Sequence, residues 1–318
     1  MQQELGQGEG EDYDECEDEP TDAANQWSHS TLPPPVQQWY EEHLSMLKAF
    51  KKTSTPQNYY DLHGTFWLPC RSSYFVIHSK TTPQPANVYN PHFFYWDPDL
   101  LVVDGLCCPL CSSQLKRLGY TRPRHVVDLE ECFYMIGQCH RCPTCHHPQS
   151  NEHTVTFNSW DHQIPDMLPP ALACKFPAQL SHCNAISKSV FALMHACFSY
   201  GVGSQQFSHI LRILHHCHYD ELYVQYLEGI LTRPGQAEYG CFSKFADPTG
   251  YGGFVPSSSW LCSMYDGYME AHAEEINQRC AMEPGRILAL DHSFKVILFS
   301  SSLLIFLTYP PSRLPNRL

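Results

Sequence analysis

Apolar side chains at Val36, Trp39, Tyr40, Leu44, Leu47 and Phe50 recur every three or four residues, which predicts an amphipathic helix over about 36–52. Pro35 suits the first turn of such a helix, where its missing N–H is not needed. The period then shortens. Phe93-Phe94-Tyr95-Trp96 and Leu100–Val103 are short apolar runs on either side of Asp97-Pro98, the pattern of two strands flanking a turn. Arg124–Leu129 and Cys132–Gln138 can pair across a turn, with Val155-Thr156-Phe157 as a third strand.

Beyond Pro169 the helical period returns. Val190, Leu193, Met194, Cys197 and Phe198 mark one helix, ended by Gly201-Val202-Gly203. Ser204 can cap a second helix carrying Phe207, Ile210, Leu211 and Leu214, and Asp220 a third carrying Leu222, Val224, Tyr226 and Leu227. That order has the form of a helix-turn-helix. The last of these helices, however, opens with two acids, a poor surface for base edges, so a packing unit is the better reading. His215 and His218 share a helix face, which reads as a polar helix end. A Gly, Pro and Ser-rich connector covers about 233–258, a helix about 259–281, and a strand Arg286–Val296.

The pattern divides the chain into six stretches. They are an acidic tail (1–34), a helix and linker (35–59), a β-rich unit (60–165), a helical segment (166–232), a connector with a helix (233–285) and a C-terminal strand with an apolar tail (286–318). The fold class expected is α+β: a small zinc ribbon, then helices, with a disordered N-terminus and a truncated C-terminal strand.

Charge changes one part of this picture. The formal net charge is −13, but Met1–Asp22 holds ten acids and no Lys or Arg, and the remainder balances 23 acids against 20 bases. The acidity belongs to a tail too poor in apolar residues to fold alone. No basic and apolar leader opens the chain, and no Asn-x-Ser/Thr sequence occurs, so an intracellular, reducing setting is expected. There, 16 cysteines act as thiols and metal ligands rather than disulfides. Val296–Tyr309 is nearly uncharged but shorter than the roughly 20 residues that span a bilayer, so no membrane association is expected.

The chemistry concentrates in Cys108-Pro-Leu-Cys111 and Cys142-Pro-Thr-Cys145, with thirty residues between the inner cysteines. A two-residue gap lets one tight turn direct both sulfurs at one ion, and Pro stiffens that turn. Two such turns supply the four tetrahedral corners of Zn2+ in a closed, structural site. Cys107, Cys139, His140, His146 and His147 stand close enough to substitute. Between the pairs, Lys116, Arg117, Arg122 and Arg124 accumulate without an acid, with Tyr120 among them. A basic, aromatic-bearing hairpin suits a phosphate backbone, and an ordinary solvated strand face is the equal alternative. No small-molecule substrate or oligomeric state follows from the sequence.

Several words together carry a resemblance. Phe94-Tyr95-Trp96-Asp97-Pro98, Arg122-Pro123-Arg124-His125-Val126-Val127-Asp128-Leu129, Phe157-Asn158-Ser159-Trp160-Asp161, Gly201–Phe207 and the two cysteine pairs resemble an uncharacterised zinc-ribbon-containing domain of fungal transposon-related proteins. In longer relatives this domain precedes a DDE transposase core similar to the Kyakuja-Dileera-Zisupton and Mutator-like groups. Leu290-Asp291-His292-Ser293-Phe294-Lys295 looks like the first strand of that core. The resemblance implies that the cysteines are metal ligands, that Asp291 is a vestigial first catalytic acid, and that the setting is nuclear with DNA as partner. No Asp or Glu follows Asp291, so the expected function is a zinc-bearing module that binds nucleic acid or a partner and is not a complete enzyme. The alternative is a fragment of an active DDE transposase whose core is missing from this chain.

Overall fold

A computed structural model describes residues 32–50, 58–79, 84–147, 150–181, 184–232 and 239–282. The acidic tail up to residue 31, Asp291 and the strand expected at 286–296 lie outside them. The fold is α+β, as expected, and is built on a sheet of seven strands.

Four strands carry most of the architecture: β1 (His92–Trp96), β2 (Lys116–Tyr120), β3 (Arg124–Val127) and the 16-residue β4 (Cys132–His147). β4 is the spine. Its first half pairs parallel with β1 and antiparallel with β3. Its second half pairs antiparallel with β2 and with β5 (Ser150–Asn158). The expected hairpin of β3 and β4 is present, closed by the Asp128 N–H donating to Glu131 O at 3.0 Å. Two short strands, β6 (Ala178–Leu180) and β7 (Ala185–Ser187), extend the sheet beyond β3. They fall in the stretch whose sequence suggested helix alone.

The unbroken aromatic run of β1 is explained by burial on both faces. Phe93 and Tyr95 pack on one side with Tyr134 and Ile136 of β4, beneath α1 (Pro34–Phe50) and α2 (Tyr59–His63). Phe94 and Trp96 enter the core on the other side, with Phe133, Met135, Phe157 and Trp160. The second strand expected after Asp97-Pro98 does not form. Pro98–Leu100 is a single 3-10 turn; Leu100 and Val102 pack half-buried against the two cores while Leu101 and Val103 are exposed, and the run lies in no strand.

The helical part departs most from expectation. After three short helices, α3 (Ser73–Ile77), α4 (Pro85–Tyr89) and α5 (Pro170–Ala173), α6 (Lys188–Ser199) is capped by the Ser187 side chain and ends where Gly201 adopts φ 85°, with Val202 N–H donating to Cys197 O. The break expected between a second and a third helix, before Asp220, is absent. Instead, α7 runs without interruption from Ser204 to Leu231, with Gly203 as its cap residue and Asp220 in its interior. His215 and His218 therefore sit mid-helix. His215 is buried with its Nε2 2.9 Å from Asp128 O, and His218 lies 3.6 Å from the Glu131 carboxylate, which also pairs with His92 of β1. The stretch expected as a polar helix end is in fact the seam where α7 meets the sheet. The last expected helix divides at His272 into α8 (Ser258–Ala271) and α9 (Ala273–Met282). Among the described residues no helix is long and apolar enough to cross a membrane.

Candidate metal centre

The first cysteine turn closes a small hairpin that leads into β2. Leu115 N–H donates to Leu106 O at 2.8 Å, and Cys108 N–H to Ser113 O at 2.8 Å. Ser112 turns the chain with φ 59°, and its N–H donates to Cys108 O at 2.9 Å. The second turn is a bulge within β4. Arg141 pairs with Thr156 and His146 with Thr154, so residues 142–145 stand against Val155 alone. A bulge of that size turns the strand back on itself and re-aims its side chains. The Thr144 and Cys145 N–H groups then lie 3.4 and 3.3 Å from Cys142 Sγ.

Because β2 pairs with β4, the two turns meet. Cys108 and Cys145 sulfurs are 3.9 Å apart, Cys111 and Cys142 sulfurs 3.4 Å, and all four lie within 4.8 Å of one another. Four thiolates about 2.3 Å from a tetrahedral ion stand about 3.8 Å apart, so the spacing fits one metal ion. Ser113 Oγ and Thr144 Oγ1, 3.0 Å apart, join the two turns at the surface. Cys108 and Cys142 are buried among Leu106, Leu115, Phe157 and Trp160, whereas Cys111 is exposed. The centre thus fastens the end of the sheet to the main core.

Thiols gathered in this way resist ionising together. The Ser113 hydroxyl and N–H hold the Cys111 thiol down to about 6, while Cys111 and the other sulfurs push Cys145 up to about 12. Burial raises Cys108 as well. A divalent cation reverses this by neutralising the thiolates it binds.

Of the other candidate ligands, the three whose side chains are described lie outside this cluster. Cys107 is exposed and paired through its backbone with Gln114, and Cys139 is half-buried away from the four sulfurs. The side chains of His146 and His147 lie outside the described residues. His140 is fully buried and belongs to a second group with Asp97 and Asp99, whose ligand atoms also lie within 4.8 Å of one another. That group already holds a cation. The Arg117 guanidinium contacts Asp97 Oδ2 and lies 3.9 Å from Asp99, while Tyr95 Oη donates to Asp97 at 2.8 Å. Sequence reasoning missed this network, although a single acid directly after four aromatics was a signal of a buried partner.

The structure does not bring the four expected bases to one face. Arg117 is spent on Asp97, and Arg124 donates to the carbonyls of Ser181 and Asn184. Lys116 and Arg122 remain exposed. A base outside the expected set stands beside one of them: exposed Arg141 of β4 pairs directly across from Lys116. An open groove of about 1020 Å³ between the Trp160–Asp166 loop and α8 carries both Lys188 and Asp166, and its mixed charge selects no ligand class.

A family model described as a domain of unknown function, DUF6729, matches residues 27–268. No curated protein and no solved structure matches the chain.

Proposed function

We infer that this chain, which belongs to the DUF6729 family, is a zinc-stabilised binding module that contacts nucleic acid through the strand face beside its metal centre. The observation that carries the zinc assignment is the convergence of four sulfurs within 4.8 Å from two turns 30 residues apart. An all-thiolate set is soft, prefers Zn2+ among common cellular divalent ions, and leaves no coordination position for water. Its role is to hold β2 against β4, in the manner of a zinc ribbon.

Nucleic acid is supported by a different feature. Lys116 and Arg141 are like charges directly opposite each other on paired strands, an arrangement that destabilises a sheet unless an anion neutralises it. Exposed Arg122 stands two residues after the end of β2. A phosphate backbone matches exposed bases on a rigid strand pair and on the segment that follows it. The kinship with transposon-related proteins suggested by the motifs points to the same partner class. On this reading the module binds and positions, and chemistry on the nucleic acid belongs to another catalytic unit.

Two experiments test the reading. Metal analysis of the purified chain should find one zinc per molecule, and Cys108→Ser with Cys142→Ser should lose both the zinc and the cooperative melt. Full zinc and an unchanged Tm in that double variant would sink the centre. Binding to a fluorescent 30-mer duplex should weaken steeply with salt. Replacing Lys116, Arg122 and Arg141 by Gln should lower the slope of log K against log salt by about one per base removed. A triple variant with wild-type affinity and slope would exclude this face as the contact.

A further inference from the structure

α7 carries two apolar stripes, and among the described residues only one of them is covered. The inner stripe, Phe207, Leu211, His215, Leu222 and Tyr226, packs on the sheet, α8 and the segment around Phe242. The outer stripe is Ile210, Ile213, Cys217, Asp220, Val224, Leu227 and Leu231, and each of these residues is exposed. Ile213 is 50% exposed, Val224 62% and Leu231 79%. Their spacing alternates three and four without a break, a 3.5-residue period. That period keeps a seam facing one partner helix, whereas a face that packs on a globular core drifts with the 3.6-residue turn. Over residues 210–231 the seam is roughly 32 Å long.

We propose that this seam is a self-association surface on which α7 of a second copy of the chain lies antiparallel. Charge selects the second copy and its direction. Ser204–Tyr219 carries Arg212 and four histidines and no acid, whereas Asp220–Leu231 carries Asp220, Glu221 and Glu228 and no base. This distribution opposes the helix's own dipole, which favours acids near the N-terminus and bases near the C-terminus. An antiparallel copy sets the acid-free half against the acidic half, with exposed His209 facing Glu228 and exposed His216 facing Glu221. A parallel copy would set Asp220 against Asp220 inside the seam. In the antiparallel register Ile210 faces Leu227, Ile213 faces Val224, and Cys217 faces Asp220.

The test uses the full chain, loaded with zinc. Sedimentation over a concentration series should give a dimer in reversible equilibrium with monomer. Ile213→Glu or Val224→Glu should weaken association about 30-fold or more. Both positions are solvent-exposed, so circular dichroism and zinc content should stay as in the wild type. Direction is read by mild oxidation and peptide mapping. Asp220→Cys should produce an interchain disulfide to Cys217 that is lost when Cys217→Ser is added. A wild-type chain that stays monomeric at high concentration overturns the proposal. So does a dimer indifferent to both glutamate variants, or a Cys217-to-Cys217 cross-link in the wild type, which would mean parallel helices.

Discussion

Gly137 occupies the point where β4 passes from its pairing with β1 and β3 to its pairing with β2 and β5, opposite Trp96. Its N–H donates to Thr121 Oγ1 at 2.9 Å. A β-carbon added there would lie 2.6 Å from Ser159 Oγ and 2.7 Å from Cε3 and Cζ3 of Trp160, where ordinary contact begins at 3.4 Å. Neither neighbour can withdraw easily. Trp160 is buried in the main core. Ser159 Oγ donates to Trp96 O at 2.9 Å and accepts from Gln138 N–H at 3.1 Å, so rotating it breaks two buried hydrogen bonds. Overpacking costs about 1–3 kcal/mol, and each lost hydrogen bond about 1 kcal/mol. Gly137→Ala should therefore destabilise the chain by roughly 3–5 kcal/mol. Gly119, on the adjoining strand β2, supplies the control. An added β-carbon there meets nothing within 4 Å. Gly119→Ala should be neutral or stabilising by up to about 1 kcal/mol, through the entropy of the unfolded chain. Urea unfolding of the zinc-loaded protein, followed by tryptophan fluorescence, reads both as shifts in midpoint at constant slope. If Gly137→Ala unfolds at the wild-type midpoint, or if the two variants shift together, the packing described around Trp160 is wrong.

Two other substitutions probe buried charge. Arg117→Met leaves the Asp97 carboxylate, which is fully buried, without its cation, and should cost about 3–5 kcal/mol in the same urea assay; adding Asp97→Asn should recover part of the loss. Burial, assisted by nearby His215, lowers the pKa of His125 from 6.5 to about 3, so the native state holds it neutral while the unfolded chain takes up a proton below 6.5. Its contribution is complete above that pH and drains away as the pH falls from 6.5 towards 3. His92, raised by its hydrogen bond to Glu131, has the opposite sign: its contribution is complete below 6.5 and fades as the pH rises through its folded pKa. The wild type should therefore lose stability between about pH 6.5 and 4 by a margin that shrinks in His125→Phe, a change that keeps the ring contacts with Tyr134 and Phe254. Equal acid slopes in the two proteins would show that His125 does not take up the proton.

What the chain's letters determined by themselves was local. Helix α1, the β3–β4 hairpin and the paired Cys-x-x-Cys turns were legible because their signals, a helical period, a short turn and a repeated spacing, involve residues close in sequence. The four cysteines that could hold a metal ion were legible as a set because a tetrahedral ion constrains two tight turns wherever they lie. The rest was decided in three dimensions. The sequence pattern divides α7 because its two apolar stripes lie on different faces, which blurs the one-sided period that marks a helix. Of the expected bases, Arg117 was claimed by a buried carboxylate 20 residues away and Arg124 by carbonyls 57 and 60 residues away, while strand register set Arg141 opposite Lys116. A carboxylate or carbonyl buried at a distance along the chain outcompetes solvent for a guanidinium, and no local pattern records where that distant group will be.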